Sequence, residues 1–126
     1  MTTNILYMLR RDQMTRHLFY LQLRRDMLED RLQCAVDQAT KLAALALQAE
    51  YGDHDNPALI NHGYFLPEHY LPPRLLRSMG TANARDMLPS LHEAHQGLLD
   101  LDVETMYIKV CIMISYSMWF YIFLYF

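Results

Sequence analysis

The chain contains 126 residues, of which 52% are hydrophobic and 20% are charged, and its formal net charge is −3. This length fits one domain with one hydrophobic core, and the composition is typical of a globular protein rather than a disordered one. The small negative net charge argues against nucleic-acid binding, which requires the neutralisation of many phosphates. Cys34 and Cys111 are far apart and no signal peptide precedes them, so we expect a protein of the reducing cytosol.

The first predicted helix runs from Asp12 to about Asp30, because neither glycine nor proline interrupts this segment. Asp12 or Thr15 is suited to cap its N-terminus, since both side chains accept hydrogen bonds from free backbone N–H groups. The apolar side chains recur near helical spacing, and we expect this stripe to face the core. Its members are Met14, Leu18, Leu21 and Leu28, with Phe19, Leu23 and Met27 beside them.

A second helix is predicted from about Ala35 to Tyr51, and Gly52 is expected to end it by adopting a left-handed conformation. Alanine and leucine recur along one face of this helix. Because small side chains allow close approach of a neighbouring helix, we expect the second helix to be central in the bundle. The polar residues that follow Gly52 are typical of a loop.

Prolines confine the next helices to short pieces, which are predicted at residues 67–70 and 73–79. A longer helix is predicted from Thr81 to about His95, with Pro89 in or near its first turns. Asp102 is expected to cap the last helix. The buried stripe of that helix is predicted to comprise Val103, Met106, Tyr107 and Val110. The sequence therefore predicts an all-α fold, a bundle of about four main helices.

Histidines and acidic residues form two candidate chemical sites. His92 and His95 are three residues apart, whereas zinc-binding helices place two histidines four residues apart. We therefore expect no metal site, with the histidines at the surface or as caps. His54 lies between Asp53 and Asp55, a group suited in principle to acid–base chemistry or a divalent cation, but its polar loop favours a solvated turn. The sequence has no phosphate loop or nucleophile motif, so we predict no enzyme activity and no cofactor.

Six arginines lie between Arg10 and Arg31, interleaved with aspartate and glutamate. Alternating charges usually form a solvated helix face with weak ion pairs, and we favour that interpretation. The alternative is a patch that faces a protein partner or an anionic membrane surface. The candidate residues of this patch are Arg10, Arg11, Arg16, Arg24 and Arg25.

Four sequence landmarks occur in a recognisable order. They are TRHLFYLQ, which begins at Thr15; LAALALQAEYGD, which begins at Leu42; YFLPEHYLP, which begins at Tyr64; and the set His95, Gly97, Glu104 and Tyr107. Together they resemble the central helical lobe of a FERM domain, and the resemblance extends roughly from Arg10 to Val110. The segment that begins at Tyr64 is similar to that of FERM-and-PDZ scaffolds and of non-receptor tyrosine phosphatases that carry a FERM domain.

The resemblance implies an acyl-CoA-binding-protein-like helical bundle, which in this family lies between a ubiquitin-like and a pleckstrin-homology-like lobe. It further implies a non-catalytic interaction module in the cytoplasm, associated with the cytoskeleton or the plasma membrane. The implied partners are cytoplasmic tails of membrane proteins or cytoskeletal components, with no cofactor. If the parent protein is a phosphatase, we expect catalysis in another domain, because this sequence has no Cys-x5-Arg loop.

The resemblance also suggests a division of the chain into three parts. Residues 1–11 are expected to be a linker or the remnant of a preceding ubiquitin-like lobe, and residues 12–110 the FERM central lobe of a truncated adaptor. Residues 111–126 form an apolar tail that is atypical of the family, with seven aromatic residues from Tyr116 to Phe126.

Three interpretations of the tail remain open. Residues 110–126 carry no charge, glycine or proline, and as a helix they would extend about 25 Å, at the lower edge of what crosses a bilayer. The alternative function is therefore a small helical protein anchored to a membrane by its C-terminus. We favour an alternative or misassigned coding end, with Cys111 and Ile114 still completing the last helix. The third interpretation is an exposed apolar strip for a partner or for self-association.

Overall fold

The computed structural model describes the backbone of residues 11–54 and 63–125, and the side chains of these residues except 117–123 and 125. This part of the chain contains five α-helices. They are α1 (Gln13–Leu28), α2 (Val36–Tyr51), α3 (Pro73–Met79), α4 (Thr81–Glu93) and α5 (Asp100–Tyr125), with a 3-10 turn at Pro67–His69 between α2 and α3. The prediction of an all-α fold is confirmed.

The N-terminus of α1 is capped by Asp12, as predicted. The Asp12 carboxylate accepts hydrogen bonds from the backbone N–H groups of Met14 and Thr15, at 3.1 and 3.2 Å. At the other end of the helix, Asp30 adopts a left-handed backbone with φ of 60°. The Arg74 guanidinium of α3 donates two hydrogen bonds, of 2.8 and 3.0 Å, to the Asp30 carboxylate, which ties α3 to the turn between α1 and α2.

Helix α2 forms the centre of the bundle, as its alanine-rich face predicts. It packs against α4 on one side and against α5 on the other. Every residue from Leu42 to Leu47 is buried. Gly52 ends the helix with φ of +72°, which confirms the predicted stop, because this conformation strains a residue that carries a Cβ atom.

Helix α5 contributes much of the remaining core. Tyr107 is fully buried and meets Tyr20 of α1 edge to face, with ring centroids 5.0 Å apart. Cys111 and Ile114 are buried as well, so the expectation that they complete the last helix is confirmed. The predicted cap at Asp102 is wrong, because the helix already begins at Asp100 and Asp102 lies within its first turn.

Pro89 lies deeper inside its helix than predicted. Helix α4 begins at Thr81, directly after Gly80, so Pro89 is its ninth residue rather than a member of the first turns. A proline removes the hydrogen bond to the carbonyl four residues earlier, which here belongs to Arg85. Arg85 is an exposed residue, so this gap in the helical hydrogen bonding occurs on the solvent side of α4.

Helix α1 has apolar residues on two opposite faces, and the prediction of its buried face is right for Met27 but wrong for Met14, Leu18 and Leu21. Tyr20 and Met27 are buried against the rest of the bundle. In contrast, Met14, Leu18 and Leu21 are 68%, 58% and 42% exposed. Both sets of residues recur at helical spacing, so the periodicity of the sequence does not show which set faces inward.

Candidate interaction surface on α1

The outward face of α1 carries an apolar row that we call the α1 stripe. It consists of Met14, Leu18, Leu21 and Arg25, which are exposed, and of Leu28 at its C-terminal end, which is half-buried and also packs against the core. Successive members are four, three, four and three residues apart, so they lie on one side of the helix along its whole length. Contiguous exposed apolar side chains of this kind commonly mark a binding surface.

A shallow groove of about 620 Å³ follows the C-terminal half of the α1 stripe. Its lining combines leucine side chains with polar and charged groups of both signs. The lining residues are Leu18, Leu21, Gln22, Arg24, Arg25, Leu28 and Glu29. The groove can therefore accept an apolar side chain from a partner, while the charged groups at its edge select the orientation in which that partner binds.

A buried charge pair on the inner face determines which side of α1 faces outward. Arg16 is only 4% exposed, and its Nε lies 3.5 Å from Oε2 of Glu104 on α5. Nδ1 of His17 lies 3.0 Å from the other oxygen of the same carboxylate. Because Arg16 is almost opposite the stripe on the helix, the pairing with Glu104 directs the stripe towards solvent.

Arg24 is engaged within the fold. Its guanidinium lies 2.8 Å from the Glu50 carboxylate and donates a hydrogen bond of 3.1 Å to the backbone carbonyl of His69. The same group lies 4.8 Å from the centroid of the Tyr70 ring, within the range of a cation–π contact. Tyr70 in turn donates its hydroxyl proton to Glu50, so Arg24 joins α1, α2 and the 3-10 turn.

The structure does not bring the five candidate arginines together as one surface patch. Arg16 is buried and Arg24 is paired, as described above. Arg25 is exposed on the α1 stripe and Arg11 is exposed near the N-terminus of the helix. Arg10 lies outside the described residues. Of the four described arginines, Arg25 is therefore the one whose guanidinium belongs to the apolar surface.

A second apolar hollow, of about 360 Å³, lies between α1 and α5. Phe19 and Leu23 line it from α1, and Cys111, Ile112, Ser115 and Tyr116 line it from α5. Phe19 and Tyr116 are exposed at its rim. The apolar surface of α1 thus continues sideways towards Ser115 and Tyr116 of α5.

His92 is a core residue, so a surface location is wrong for this position, while its bond to Gly52 at the C-terminal end of α2 agrees with the capping alternative. Its Nε2 lies 2.7 Å from the carbonyl oxygen of Gly52, and its Nδ1 lies 2.8 Å from the hydroxyl of Tyr64. A carbonyl only accepts, so Nε2 carries the proton and Nδ1 accepts from Tyr64. Burial lowers the pKa of His92 from its ordinary value of 6.5, because a buried imidazolium is poorly solvated. The ring is therefore neutral and joins α2, α4 and the segment around Tyr64.

Asp53 is more than the solvated turn residue that the sequence suggests. Its Oδ1 accepts hydrogen bonds from the backbone N–H of Gly97 at 2.7 Å and from the Gln48 side chain at 3.0 Å. These bonds, the one from Gly97 foremost, hold the pKa of Asp53 below its usual range. Asp55, the other member of the candidate acid–base group, lies outside the described residues.

The described residues offer no metal cluster or activated nucleophile. They contain no group of three or more histidine, cysteine, aspartate or glutamate side chains that could hold a metal ion. Burial raises the pKa of the Cys34 thiol to about 11 and that of the Cys111 thiol to about 12. Both cysteines are free and buried, and a thiol with a raised pKa is a poor nucleophile at neutral pH. Within the described part of the chain, none of the helices is both long enough and apolar enough to span a membrane.

An all-helical lobe with inert thiols and an outward apolar stripe has the features of a protein-interaction module. The sequence matches the family model of the FERM central domain over residues 7–116. This chain belongs to the FERM central domain family.

Several curated proteins are similar to this chain. Mouse tyrosine-protein phosphatase non-receptor type 13 is 42% identical over 98 residues, which cover 78% of this chain and 4% of that protein. Mouse FERM and PDZ domain-containing protein 2 is 35% identical over 104 residues, covering 82% and 8%. Human Merlin is 29% identical over 100 residues, covering 78% and 17%. The chain thus spans a small part of each relative, and both groups of proteins that the sequence resembles are among them.

The sequence of α1 does not tell its two apolar rows apart by charge. Arg25 occupies the same row as Met14, Leu18 and Leu21, and Arg16, four residues before Tyr20, occupies the row of Tyr20 and Met27. A lone arginine in an apolar row is expensive to bury without a partner. The ion pair with Glu104, 88 positions away, allows the row of Arg16 to be the buried one.

Proposed function

We propose that this chain is a non-catalytic protein-interaction module that acts in a cytoskeletal or membrane-cortex adaptor. The observation that carries the proposal is the exposed α1 stripe on a FERM central lobe. Met14 and Leu18 are more exposed than any other apolar side chains of α1, and a solvated apolar row of this length is unfavourable unless a partner covers it.

The proposed partners are cytoplasmic tails of membrane proteins or cytoskeletal components, and the proposed location is the cytoplasmic side of the plasma membrane. Domains of the FERM family are interaction modules, which supports a binding role for this chain. The buried, weakly acidic thiols support the absence of phosphatase chemistry in this lobe, whatever other domains a parent protein carries.

The division of the chain at residues 11 and 110 remains part of the proposal. In this view, residues 12–110 form the interaction lobe, and residues 111–126 serve first to complete the bundle through Cys111 and Ile114. An adaptor needs stable presentation of helix faces rather than a reactive pocket, and a bundle centred on α2 provides it.

The proposal is tested by the location of the fluorescently tagged chain in cultured cells. We expect enrichment at the cell cortex, and release of the protein from membranes by alkaline carbonate. The double variant Leu18→Ser with Leu21→Ser is expected to become diffuse, since it removes the centre of the α1 stripe. Met113→Ser is the matched control, because Met113 is as exposed as Met14 but lies on α5.

A diffuse distribution of the unmodified chain would reject the adaptor function. Cortical enrichment that survives the double substitution would assign the interaction to another surface. Resistance to carbonate would instead support a membrane anchor in the C-terminal segment.

A further inference from the structure

The α1 stripe has the spacing of a coiled-coil seam. Its members are alternately four and three residues apart, which is the spacing of coiled-coil seam positions and also of one face of an ordinary amphipathic helix. From Met14 to Leu28 the stripe covers two heptads, or about 21 Å of helix. A second helix laid along α1 could insert its side chains between those of the stripe over this whole length.

The one charged side chain of the α1 stripe is Arg25, so the stripe carries a positive charge. Arg25 has no acidic partner among the described residues, although it is exposed in the middle of the apolar row. The charged groups on either side are already paired, Arg24 with Glu50 at 2.8 Å and Glu29 with Arg31 at 3.1 Å. A helix that covers the stripe must therefore bring its own carboxylate to Arg25, or leave a desolvated cation unpaired.

We propose that the α1 stripe binds an acidic amphipathic helix of a partner protein. The apolar side chains of that helix pack between Leu18 and Leu21, and one of its glutamate or aspartate residues pairs with Arg25. This inference rests on the proposed function, because it specifies the partner of the same surface.

A second copy of this chain does not meet the same requirement. The stripe contains methionine, leucine and arginine but no carboxylate, so two facing stripes leave both Arg25 side chains without an anion. A parallel pairing would place the two arginines close together. Charge complementarity therefore selects a partner helix of different composition.

A membrane surface fits the charge distribution poorly. Binding to anionic lipids commonly uses clusters of about four to eight lysines and arginines. On the α1 stripe a single guanidinium is available, and the neighbouring Arg24 and Arg31 are already paired with Glu50 and Glu29. A carboxylate on a partner helix pairs with one arginine geometrically, whereas a diffuse lipid field requires many cations.

The test uses two synthetic peptides of 21 residues that share a leucine seam of three heptads. One peptide carries glutamate at the positions beside the seam and the other carries lysine, so neither associates readily with itself. Binding to the full 126-residue chain is measured by fluorescence anisotropy. We expect the acidic peptide to bind at least about tenfold more tightly than the basic one.

Two variants separate the contribution of apolar packing to peptide binding from the contribution of charge. Leu18→Ser with Leu21→Ser is expected to weaken both peptides, while Met113→Ser leaves them unchanged. Arg25→Glu is expected to reverse the preference, so that the lysine peptide binds more tightly. All these positions are exposed, and circular dichroism and the unfolding midpoint are expected to stay constant.

Equal binding of both peptides, or binding that ignores Arg25→Glu, would overturn the inference. A dimer in sedimentation that disappears with the leucine substitutions would show that a second copy covers the stripe. Co-sedimentation with phosphatidylserine vesicles that needs Leu18 and Arg25 would show that a membrane does. If cortical enrichment depends on the stripe but the two peptides bind equally, the proposed function stands. Only the inference that the partner is an acidic helix is then rejected.

Discussion

At the scale of single residues, the side of α1 that faces solvent depends on a buried charge pair on its opposite side. Arg16 and Glu104 are both buried, and they join the first and last helices. Removing two charges from water is costly, and their mutual attraction offsets that cost only while both are present. The pair therefore favours one rotation of α1, with Leu18 outward and Tyr20 inward.

Replacement of Arg16 alone is expected to destabilise the protein strongly. Arg16→Met leaves Glu104 buried with His17 as its remaining partner, and loss of one member of a buried pair costs about 3–5 kcal/mol. The double substitution Arg16→Met with Glu104→Leu is expected to recover most of this loss. Urea unfolding measures both effects. A loss no greater than that of the exposed Arg25→Met would refute the role of the pair.

The neutral histidine in the core predicts a pH dependence. The folded state lowers the pKa of His92, so the unfolded chain binds a proton first as the pH falls below about 6.5. Stability is therefore complete above this pH and is lost progressively as the pH drops towards the folded pKa. Protonation also removes the acceptor for the Tyr64 hydroxyl.

His92→Gln isolates this contribution, because glutamine can donate to Gly52 and accept from Tyr64 but does not titrate. Unfolding free energies measured between pH 7.5 and pH 5 are expected to fall less steeply in the variant. His95, whose pKa is also lowered by burial, is present in both proteins, so the difference between the profiles reports His92 and its interaction with the nearby His54 and His95. Parallel pH profiles would show that His92 is not the titrating group.

At the scale of the elements, α1 and α4 each have a feature that local sequence patterns do not explain. In α1 it is the choice of the buried row, and in α4 it is the continuation of the helix through a proline. Helix α1 has two apolar rows, and only the contact with α5 decides which row is buried. Helix α4 continues through Pro89, because packing of Ala84, Leu88 and His92 on one face offsets the missing hydrogen bond. Tertiary contacts thus override a local preference in both helices.

Pro89 supplies a test of that balance. Pro89→Ala restores a backbone donor for the Arg85 carbonyl and is expected to stabilise the protein by about 1–3 kcal/mol. The gain is smaller than the full penalty of an interior proline, since proline also restricts the unfolded chain. Chemical denaturation measures it, and the exposed neighbour Ser90→Ala is the control. A loss of stability would mean that the proline ring itself contributes essential packing.

At the scale of the whole molecule, a central helix organises the others and the last helix extends along it. Helix α2 contacts both α4 and α5, and its alanine residues permit these close approaches. The burial of α5 reaches Ile114, whereas Tyr116, two residues later, is exposed. The apolar sequence of α5 therefore serves the core as far as Ile114, while the described side chains of Tyr116 and Leu124 are exposed.

This boundary predicts that the loss of unfolding free energy caused by substitution changes sharply along α5. Ile114→Ala is expected to lose about 2–5 kcal/mol, because it removes buried methyl groups and leaves a cavity. Tyr116→Ala is expected to change stability by less than about 0.5 kcal/mol. Equilibrium unfolding of the two variants compares them directly. Similar losses at both positions would show that the bundle extends past Ile114.

The sequence by itself determined the helices, most of their ends and the family. Asp12, Gly52 and the prolines act through the local backbone, so their effects do not depend on distant residues. The landmarks that begin at Thr15 and Leu42 identified the FERM central lobe in the same way, because they are patterns of the chain itself.

Only the tertiary structure decided which faces are buried and which polar groups meet. The contact of Arg16 with Glu104 spans 88 positions, and that of His92 with Gly52 spans 40. No local pattern encodes such pairings, since they depend on how the helices rotate and cross. The outward α1 stripe follows from the same cause: with two apolar rows on one helix, the packing against α5 selected the row that includes Tyr20 and exposed the row that includes Leu18.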